Sequence, residues 1–463
     1  MSRSVAILSV LLALTPGPMA AQGTSAMAAH GATARSSTDP SVAPLAHARV
    51  AVQDTPRHPD LTLRDVYELA RERSLNVQAA RAGAAAAAAR ESSAGLPPDP
   101  QVQLSAMNLA LPSLSSDMPG AMLPSIQLMQ MIPTAGKLGL SGRIARQSTA
   151  IAESVADEAW WEVRARAAML FYDIYQADRQ LMVMEETLDW LRQFADIAAT
   201  MYSVGSGTQS DVLRAGVEVA RMEADVARMQ AMRTSAAARL NAVLDRPAGT
   251  PVATVAFTPV PGELPVADAL TAFAEESRPM LERGRLAVEQ ARTRETLARR
   301  EIWPDLSVGV QYGQRGSDMG TERMGSLMLG FSVPVFAGRR QFQMRTEAAA
   351  MAQMAEADLS DMRAQVDARI AELIAELDRA RMLINLYRTE VLPQAEANVT
   401  SALASYRVGR VDFMTLVDAQ MTLNEYRQEQ YALLAEYGSL VAELEMAIGR
   451  ELPATDTTIV EEV

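Results

Sequence analysis

Residue types that usually carry catalysis or bind metals are scarce in this 463-residue chain. It has no cysteine, and its three histidines, His30, His47 and His58, are spaced too widely for a metal-binding motif. Carboxylate pairs such as Asp361 with Asp367 lie among basic residues in a helical pattern, which is typical of a solvated helix surface. There is no glycine-rich phosphate loop and no nucleophile elbow, so we expect neither catalysis nor a cofactor. The net charge of −13 argues against nucleic acid as a partner.

Methionine is abundant, at 27 residues, and its side chain can also act as a metal ligand. Its thioether is a soft ligand that suits monovalent copper or silver. It is also a flexible apolar group that fills gaps in cores and on membrane faces. We favour this second role, and the sequence therefore predicts no metal site. The methionines around the two predicted strand pairs are Met107, Met118, Met122, Met129, Met131, Met319, Met324 and Met328.

A sequence repeat organises the elements that carry these residues. The stretch from Tyr202 to Ala215 recurs from Tyr406 to Ala419, and the glycine of each copy, Gly205 or Gly409, has the same position. Other residues match at the same offset along the chain. We therefore expect a tandem duplication of roughly two hundred residues.

The N-terminus has the features of a secretory signal. A short basic start precedes the apolar run Val5 to Leu14, and small residues follow up to Ala21. We predict a cleaved signal peptide at 1–21 and a flexible leader at 22–60, which is rich in small and polar residues. Because the chain lacks cysteine, no N-terminal lipid anchor is expected.

Each repeat is predicted to contain the same elements in the same order. Two helices precede a strand hairpin, and a very long helix then leads through a glycine turn into a returning helix of about 35 residues. The predicted boundaries are 61–250 for the first repeat, 251–264 for a linker, 265–453 for the second repeat and 454–463 for an acidic tail. The fold class is thus mixed α and β, with long antiparallel helical hairpins.

The four predicted strands alternate apolar with polar or small residues. In the second copy Leu306, Val308 and Val310 alternate with Ser307 and Gly309. A membrane β-barrel shows this pattern, and so does a half-buried soluble hairpin. Four strands cannot close a barrel, so membrane insertion would require oligomerisation: two chains would give eight strands and three would give twelve.

The long helix of the second repeat carries an apolar stripe with a spacing of three and four residues. The stripe runs from Val366 to Val391 and is typical of helices packed by coiled-coil rules. Pro393 follows it directly. Since proline disrupts a straight helix by up to about 3 kcal/mol, we expect a kink or local unwinding there.

This order of elements resembles that of TolC-like outer-membrane efflux proteins, the outer membrane factors of tripartite efflux pumps. The resemblance covers about Leu61 to Pro453. It rests on the Pro-Asp that enters each hairpin, the Tyr-x-x-Gly turns, the run from Val391 to Ala395, and the similar ends of the two repeats. No single motif is very specific, but their order over almost the whole chain is.

The resemblance implies a homotrimer in the outer membrane. Three chains would form a transmembrane β-barrel of twelve strands, continued by an α-barrel that crosses the periplasm. The partners implied are a periplasmic adaptor protein, an inner-membrane pump (for example of the RND type) and outer-membrane lipid. The channel would be a passive exit duct, gated at its periplasmic helical tips.

The family's gate residues can be carried over to several positions of this chain. Carboxylates that face the lumen correspond to Asp211 and Asp418. A further acidic position falls on Thr415, and a basic position falls on Val411, next to Arg410. For Asp211 an N-cap role is an equally sufficient explanation.

The turn residues Tyr202, Gly205, Tyr406 and Gly409 are the candidates for adaptor docking. The alternative to a channel is a periplasmic coiled-coil adaptor or scaffold without a membrane barrel. Such adaptors have one helical hairpin rather than two copies, and no membrane strands.

Overall fold

The computed structural model describes residues 61–107, 122–258, 260–317, 320–452 and 458–459. The predicted signal peptide and leader lie outside this range, as does most of the predicted acidic tail. The elements in order are α1 (Leu63–Arg73), α2 (Leu75–Ala94), β1 (Gln101–Met107), β2 (Met122–Ile132), α3 (Lys137–Ser203), α4 (Gln209–Val243), β3 (Val260–Pro261), α5 (Ala267–Ser277), α6 (Pro279–Arg300), β4 (Leu306–Ser317), β5 (Gly320–Phe331), α7 (Gln341–Leu386), α8 (Leu392–Arg407), α9 (Phe413–Ile448) and β6 (Thr458–Ile459).

The order helix, helix, strand, strand, long helical arm, helix occurs twice, and the second long arm is divided into α7 and α8. Several helices begin or end at local signals. Thr62 and Asp65 form a capping box at the start of α1, and the alanine-rich sequence of α2 has the highest helix propensity. Gly205 and Gly409 follow the two long helical arms with positive φ angles of 77° and 72°, which an L residue with a side chain rarely adopts.

The longest helix, α3, is the centre of the helical region. Its 67 residues give a length of about 100 Å. It contacts α2 and α6 as well as α4 and α9. Two hydrophobic clusters result, one around Tyr172 and Tyr175 and one near the helical tips around Phe194 and Phe413.

The predicted apolar stripe of the second long helix is buried as far as Ile384, whereas its last members, Tyr387 and Val391, are half-buried. Val366, Ile370, Leu373, Leu377, Ala380 and Ile384 are all core residues. The local unwinding expected near Pro393 is present as a π-helical segment at Tyr387–Val391, which separates α7 from α8. Pro393 has no N–H to donate to the Thr389 carbonyl, and its ring would clash with that carbonyl in a regular helix, so the backbone widens in the turn before it.

The residues predicted as a linker, 251–264, contribute to the larger core. Val252, Val255 and Phe257 are buried there, and β3 pairs with β6 in an antiparallel two-stranded sheet. A parallel bridge joins Leu61 to Val255. The segment between the repeats therefore packs as part of the folded unit.

The two hairpins form a single four-stranded antiparallel sheet with the order β1-β2-β4-β5. The inner pair, β2 and β4, joins one repeat to the other, with Ile126 opposite Tyr312 and Leu128 opposite Val310. Strand periodicity predicts each hairpin but not this pairing between them.

Candidate functional site

One face of the four-stranded sheet is apolar and exposed within the chain. Leu104 lies opposite Ile126, and Ile126 lies opposite Tyr312, so the apolar positions form continuous rows across the strands. An exposed apolar face of this extent marks an interaction with lipid or protein. The face consists of Val102, Leu104, Ile126, Leu128, Val310, Tyr312, Leu327, Leu329 and Phe331, each at least 44% exposed.

The opposite face of the sheet carries polar, small and methionine side chains. Gln103, Gln127, Gln311 and Ser326 lie opposite one another in one row that crosses all four strands. Side chains that alternate in polarity between the two faces of a strand are typical of the wall of a membrane barrel. Within the described residues, β1 and β5 each pair on one side only, so both edges present unpaired backbone groups.

A buried lysine joins the sheet to the start of α3. Lys137 Nζ donates hydrogen bonds to Asp305 Oδ1 and to the Trp303 carbonyl oxygen, both at 2.9 Å. The backbone N–H of Thr134 also donates to Asp305 Oδ1, at 3.1 Å. Sequence reasoning missed this site, although its signal was present: Lys137 is the single lysine of a chain whose other basic residues, histidine aside, are arginines.

The first helical tip is organised by a capping box. Thr208 is the N-cap of α4, and its hydroxyl accepts a hydrogen bond from the Asp211 N–H at 3.2 Å. The Asp211 carboxylate accepts in turn from the Thr208 N–H at 3.2 Å. The interpretation of Asp211 as the N-cap is therefore wrong, because the N-cap is Thr208, three residues earlier. The carboxylate still stabilises the helix start, because it satisfies an N–H group outside the helix ladder.

The second tip is capped differently. Asp412 is the N-cap of α9 and accepts hydrogen bonds from the hydroxyl and the N–H of Thr415. These hydrogen bonds hold the pKa of the Asp412 carboxyl below its usual value. Thr415, one of the predicted gate residues, is therefore engaged in the cap. Sequence reasoning did not single out Asp412, although an aspartate three residues before Thr415 is a recognisable start signal.

Two of the predicted gate residues, Arg410 and Asp418, are exposed. Asp418 lies in the second turn of α9, beyond the cap, and Arg410 lies in the preceding turn. Neither residue forms a salt bridge within the described part of the chain. Capping accounts for Asp211 but does not involve the side chain of Asp418.

The two tyrosines of the tips differ in burial, although they occupy equivalent positions in the sequence repeat. Tyr202 is 49% exposed, whereas Tyr406 is only 4% exposed and packs edge-on against Phe413 with ring centroids 5.7 Å apart. Burial raises the pKa of the Tyr406 phenol, and the nearby charge of Asp211 raises it further. Tyr406 thus joins the two tips of one chain internally, and its ring is not on the accessible surface predicted for docking.

The described residues contain no cluster of histidine or acidic side chains arranged to hold a metal ion. Over the same residues, no helix combines the length and the apolar character needed to cross a membrane.

Comparisons with known proteins agree on one family. The family model for outer membrane efflux proteins matches residues 66–246 and 271–450. The cobalt-zinc-cadmium resistance protein CzcC of Cupriavidus metallidurans is 21% identical over 325 residues, which cover 69% of this chain and 75% of the relative.

Several solved structures share the fold. The outer membrane protein VceC of Vibrio cholerae matches with a TM-score of 0.71 at 18% identity, covering 84% of this chain and 96% of that one. CusC matches with a TM-score of 0.72 at 16% identity, covering 84% of this chain and 92% of that one. The open MtrE channel of Neisseria gonorrhoeae matches with a TM-score of 0.69 at 15% identity, covering 84% of this chain and 89% of that one. Since the family model covers most of both repeats, this chain belongs to the outer membrane efflux protein family and is an outer-membrane component of efflux.

Proposed function

We propose that three copies of this chain form the passive exit duct of a tripartite efflux system. The observation that carries the proposal is the four-stranded sheet, with its apolar exposed face and its two open edges. In lipid an unpaired edge costs several kcal/mol per backbone group, so the edges must find partners. Joining β5 of one copy to β1 of the next closes a barrel of twelve strands.

The helices extend this duct towards the periplasm. α3 continues directly from the sheet through Lys137, and about 100 Å of helix separates that residue from the tip at Ser203. Side by side in three copies, the helical hairpins complete an α-barrel below the membrane barrel. The barrel holds the protein in the outer membrane, and the predicted signal peptide is consistent with export.

The tips are proposed to contact the periplasmic adaptor, which links the duct to an inner-membrane pump. Tyr202, Gly205 and Gly409 are accessible for this contact. Asp418 is the proposed gate carboxylate, because its charge is exposed and is not used in a cap. Arg410 is its proposed partner across a subunit boundary.

Cysteine cross-linking tests the closed barrel, since the chain contains no cysteine of its own. Gln103 on β1 and, in turn, Ser326, Met328 and Gly330 on β5 are changed to cysteine in membranes. A disulfide requires Cα atoms within about 7 Å, so at least one pair should yield covalent dimers and trimers.

Gln103→Cys alone is the matched control, because it supplies only one of the two edges. Products that stop at the trimer support the proposal. Monomers from all three pairs, or recovery of the mature chain in the soluble periplasmic fraction, would favour the adaptor or scaffold alternative instead.

A further inference from the structure

A groove of about 630 Å³ lies on one face of the helical region near the tips. α4 and α9 form its two walls, and α3 lies between them at its base. From Asp418 to Glu429 the groove follows three turns of α9, a length of about 16 Å. Volumes between about 300 and 1,000 Å³ are typical of sites for small organic molecules, and such a space is much larger than a metal ion requires.

Methionines from all three helices line the groove. Met184 of α3 and Met222 of α4 are buried, while Met229 of α4 and Met421 of α9 are half-buried. Met232 stands 56% exposed at the end of the same row. Flexible thioether side chains adapt to different apolar shapes, and for that reason they are common at promiscuous binding surfaces.

The α9 wall is acidic. Asp418, Glu425 and Glu429 lie one or two turns apart on one side of the helix and line the groove together. No salt bridge neutralises these three carboxylates within the described part of the chain. On the α4 wall, Asp225 is paired with Arg228 at 2.8 Å, so the lining keeps an excess of negative charge.

We propose that this methionine groove binds amphipathic organic cations, with the apolar body on the thioethers and the positive charge at the α9 carboxylates. Size, an adaptable apolar floor and charge complementarity together favour this ligand class over a bare metal ion. The role in export rests on the proposed function, because the groove lines the duct only if Asp418 faces the lumen. A subsite here would hold a cationic cargo molecule just above the gate.

Equilibrium binding to the purified full chain in detergent tests the site. The probe is ethidium, an aromatic cation whose fluorescence anisotropy rises on binding. Anilinonaphthalene sulfonate, which has an apolar body of opposite charge, is the comparison. The proposal expects saturable ethidium binding that the anion does not displace. Equal occupancy of the groove by both dyes would overturn the charge argument.

The double variant Glu425→Gln with Glu429→Gln removes two of the carboxylates and leaves Asp418 in place. Because exposed ion pairs are individually weak, we expect the Kd for ethidium to rise by about three- to tenfold. The matched control is Glu185→Gln with Asp196→Asn on α3, which removes the same charge from exposed residues outside the groove. If both double variants change the Kd equally, only net charge matters and the site is disproved.

The variant Met184→Leu with Met229→Leu separates apolar contact from metal ligation. Leucine keeps the apolar surface and a similar volume, so ethidium binding should stay within about twofold of wild type. If the leucines abolish binding and Ag⁺ displaces the dye from wild type, the thioethers act as soft metal ligands and the proposal is wrong.

Conductance of the same preparations in planar bilayers distinguishes this inference from the proposed function. Channels without ethidium binding would overturn the groove proposal alone. Ethidium binding by a protein that forms no channel would overturn the duct but leave the groove as a cation site.

Discussion

Gly438 offers a sharp test of how the helices are packed at the centre of the molecule. It lies in the interior of α9, where glycine is normally unfavourable relative to alanine by about 1 kcal/mol. The reason for glycine is the ring of Tyr172 on α3. A Cβ atom added at Gly438 would lie 2.6 Å or less from three atoms of that ring.

The ring of Tyr172 has little room to move away. Tyr172 is 1% exposed and packs edge-on against Phe171 with ring centroids 5.5 Å apart, and it also contacts Phe257. Carbon atoms prefer a separation of about 3.5–4.0 Å, so Gly438→Ala forces a shift of roughly 1 Å in one of two long helices. Overpacking of this kind costs about 1–3 kcal/mol or more, and this clash is near the upper end.

We therefore expect Gly438→Ala to destabilise the protein by about 2 kcal/mol, once the gain of about 1 kcal/mol in helix propensity is subtracted. Thermal unfolding of the detergent-solubilised protein, followed by circular dichroism, should show a Tm lower by several degrees. Adding Tyr172→Leu to Gly438→Ala should recover part of the loss, because the ring that causes the clash is gone.

Gly216→Ala is the matched control. Gly216 lies in the interior of α4, and no atom is within 4 Å of the position a Cβ would occupy. This variant should stabilise the protein by about 0.5–1 kcal/mol. If Gly438→Ala raises the Tm as Gly216→Ala does, the close packing of α9 on Tyr172 is refuted.

Three further predictions concern the tips and the junction. Asp418→Asn should increase leak of a large antibiotic through the outer membrane without lowering Tm. Asp211→Asn should leave leak nearer wild type, because this carboxylate belongs to the capping box of α4. Equal leak from both variants would refute the assignment of the gate to Asp418. Lys137→Met should destabilise by about 3 kcal/mol because it leaves Asp305 without its cation, and adding Asp305→Asn should restore part of the Tm; no recovery would show that the pair is not coupled. Asp412→Ala should lower the Tm near neutral pH, but the difference from wild type should shrink below about pH 4. A carboxyl whose pKa is lowered by folding contributes stability above its ordinary pKa, and this stability is lost as the pH falls through the lowered pKa. A constant difference in Tm at all pH values would contradict a charged cap.

The sequence by itself determined the elements and their order. The spacing from Val366 to Ile384 predicts a buried stripe, Pro393 predicts the unwound turn at Tyr387–Val391, and Gly205 and Gly409 predict the ends of the long helical arms. Each of these features depends on residues close together in the chain. Periodicity and proline or glycine chemistry act over a few residues, so the sequence reports them directly.

Tertiary structure alone decided which elements meet. The pairing of β2 with β4 joins Ile126 to Tyr312, and the Lys137 hydrogen bond to Asp305 spans a similar separation along the chain. An alternating strand shows which face is apolar but not which edge it will pair with.

The two tips make the same point at a smaller scale. Tyr202 and Tyr406 occupy equivalent places in the repeat, yet the packing of α9 buries only Tyr406. The methionines and carboxylates of the groove come from three helices, and periodicity along one helix cannot bring them together. Local sequence sets the shape and polarity of each element, whereas contacts between distant elements depend on the simultaneous packing of the whole chain.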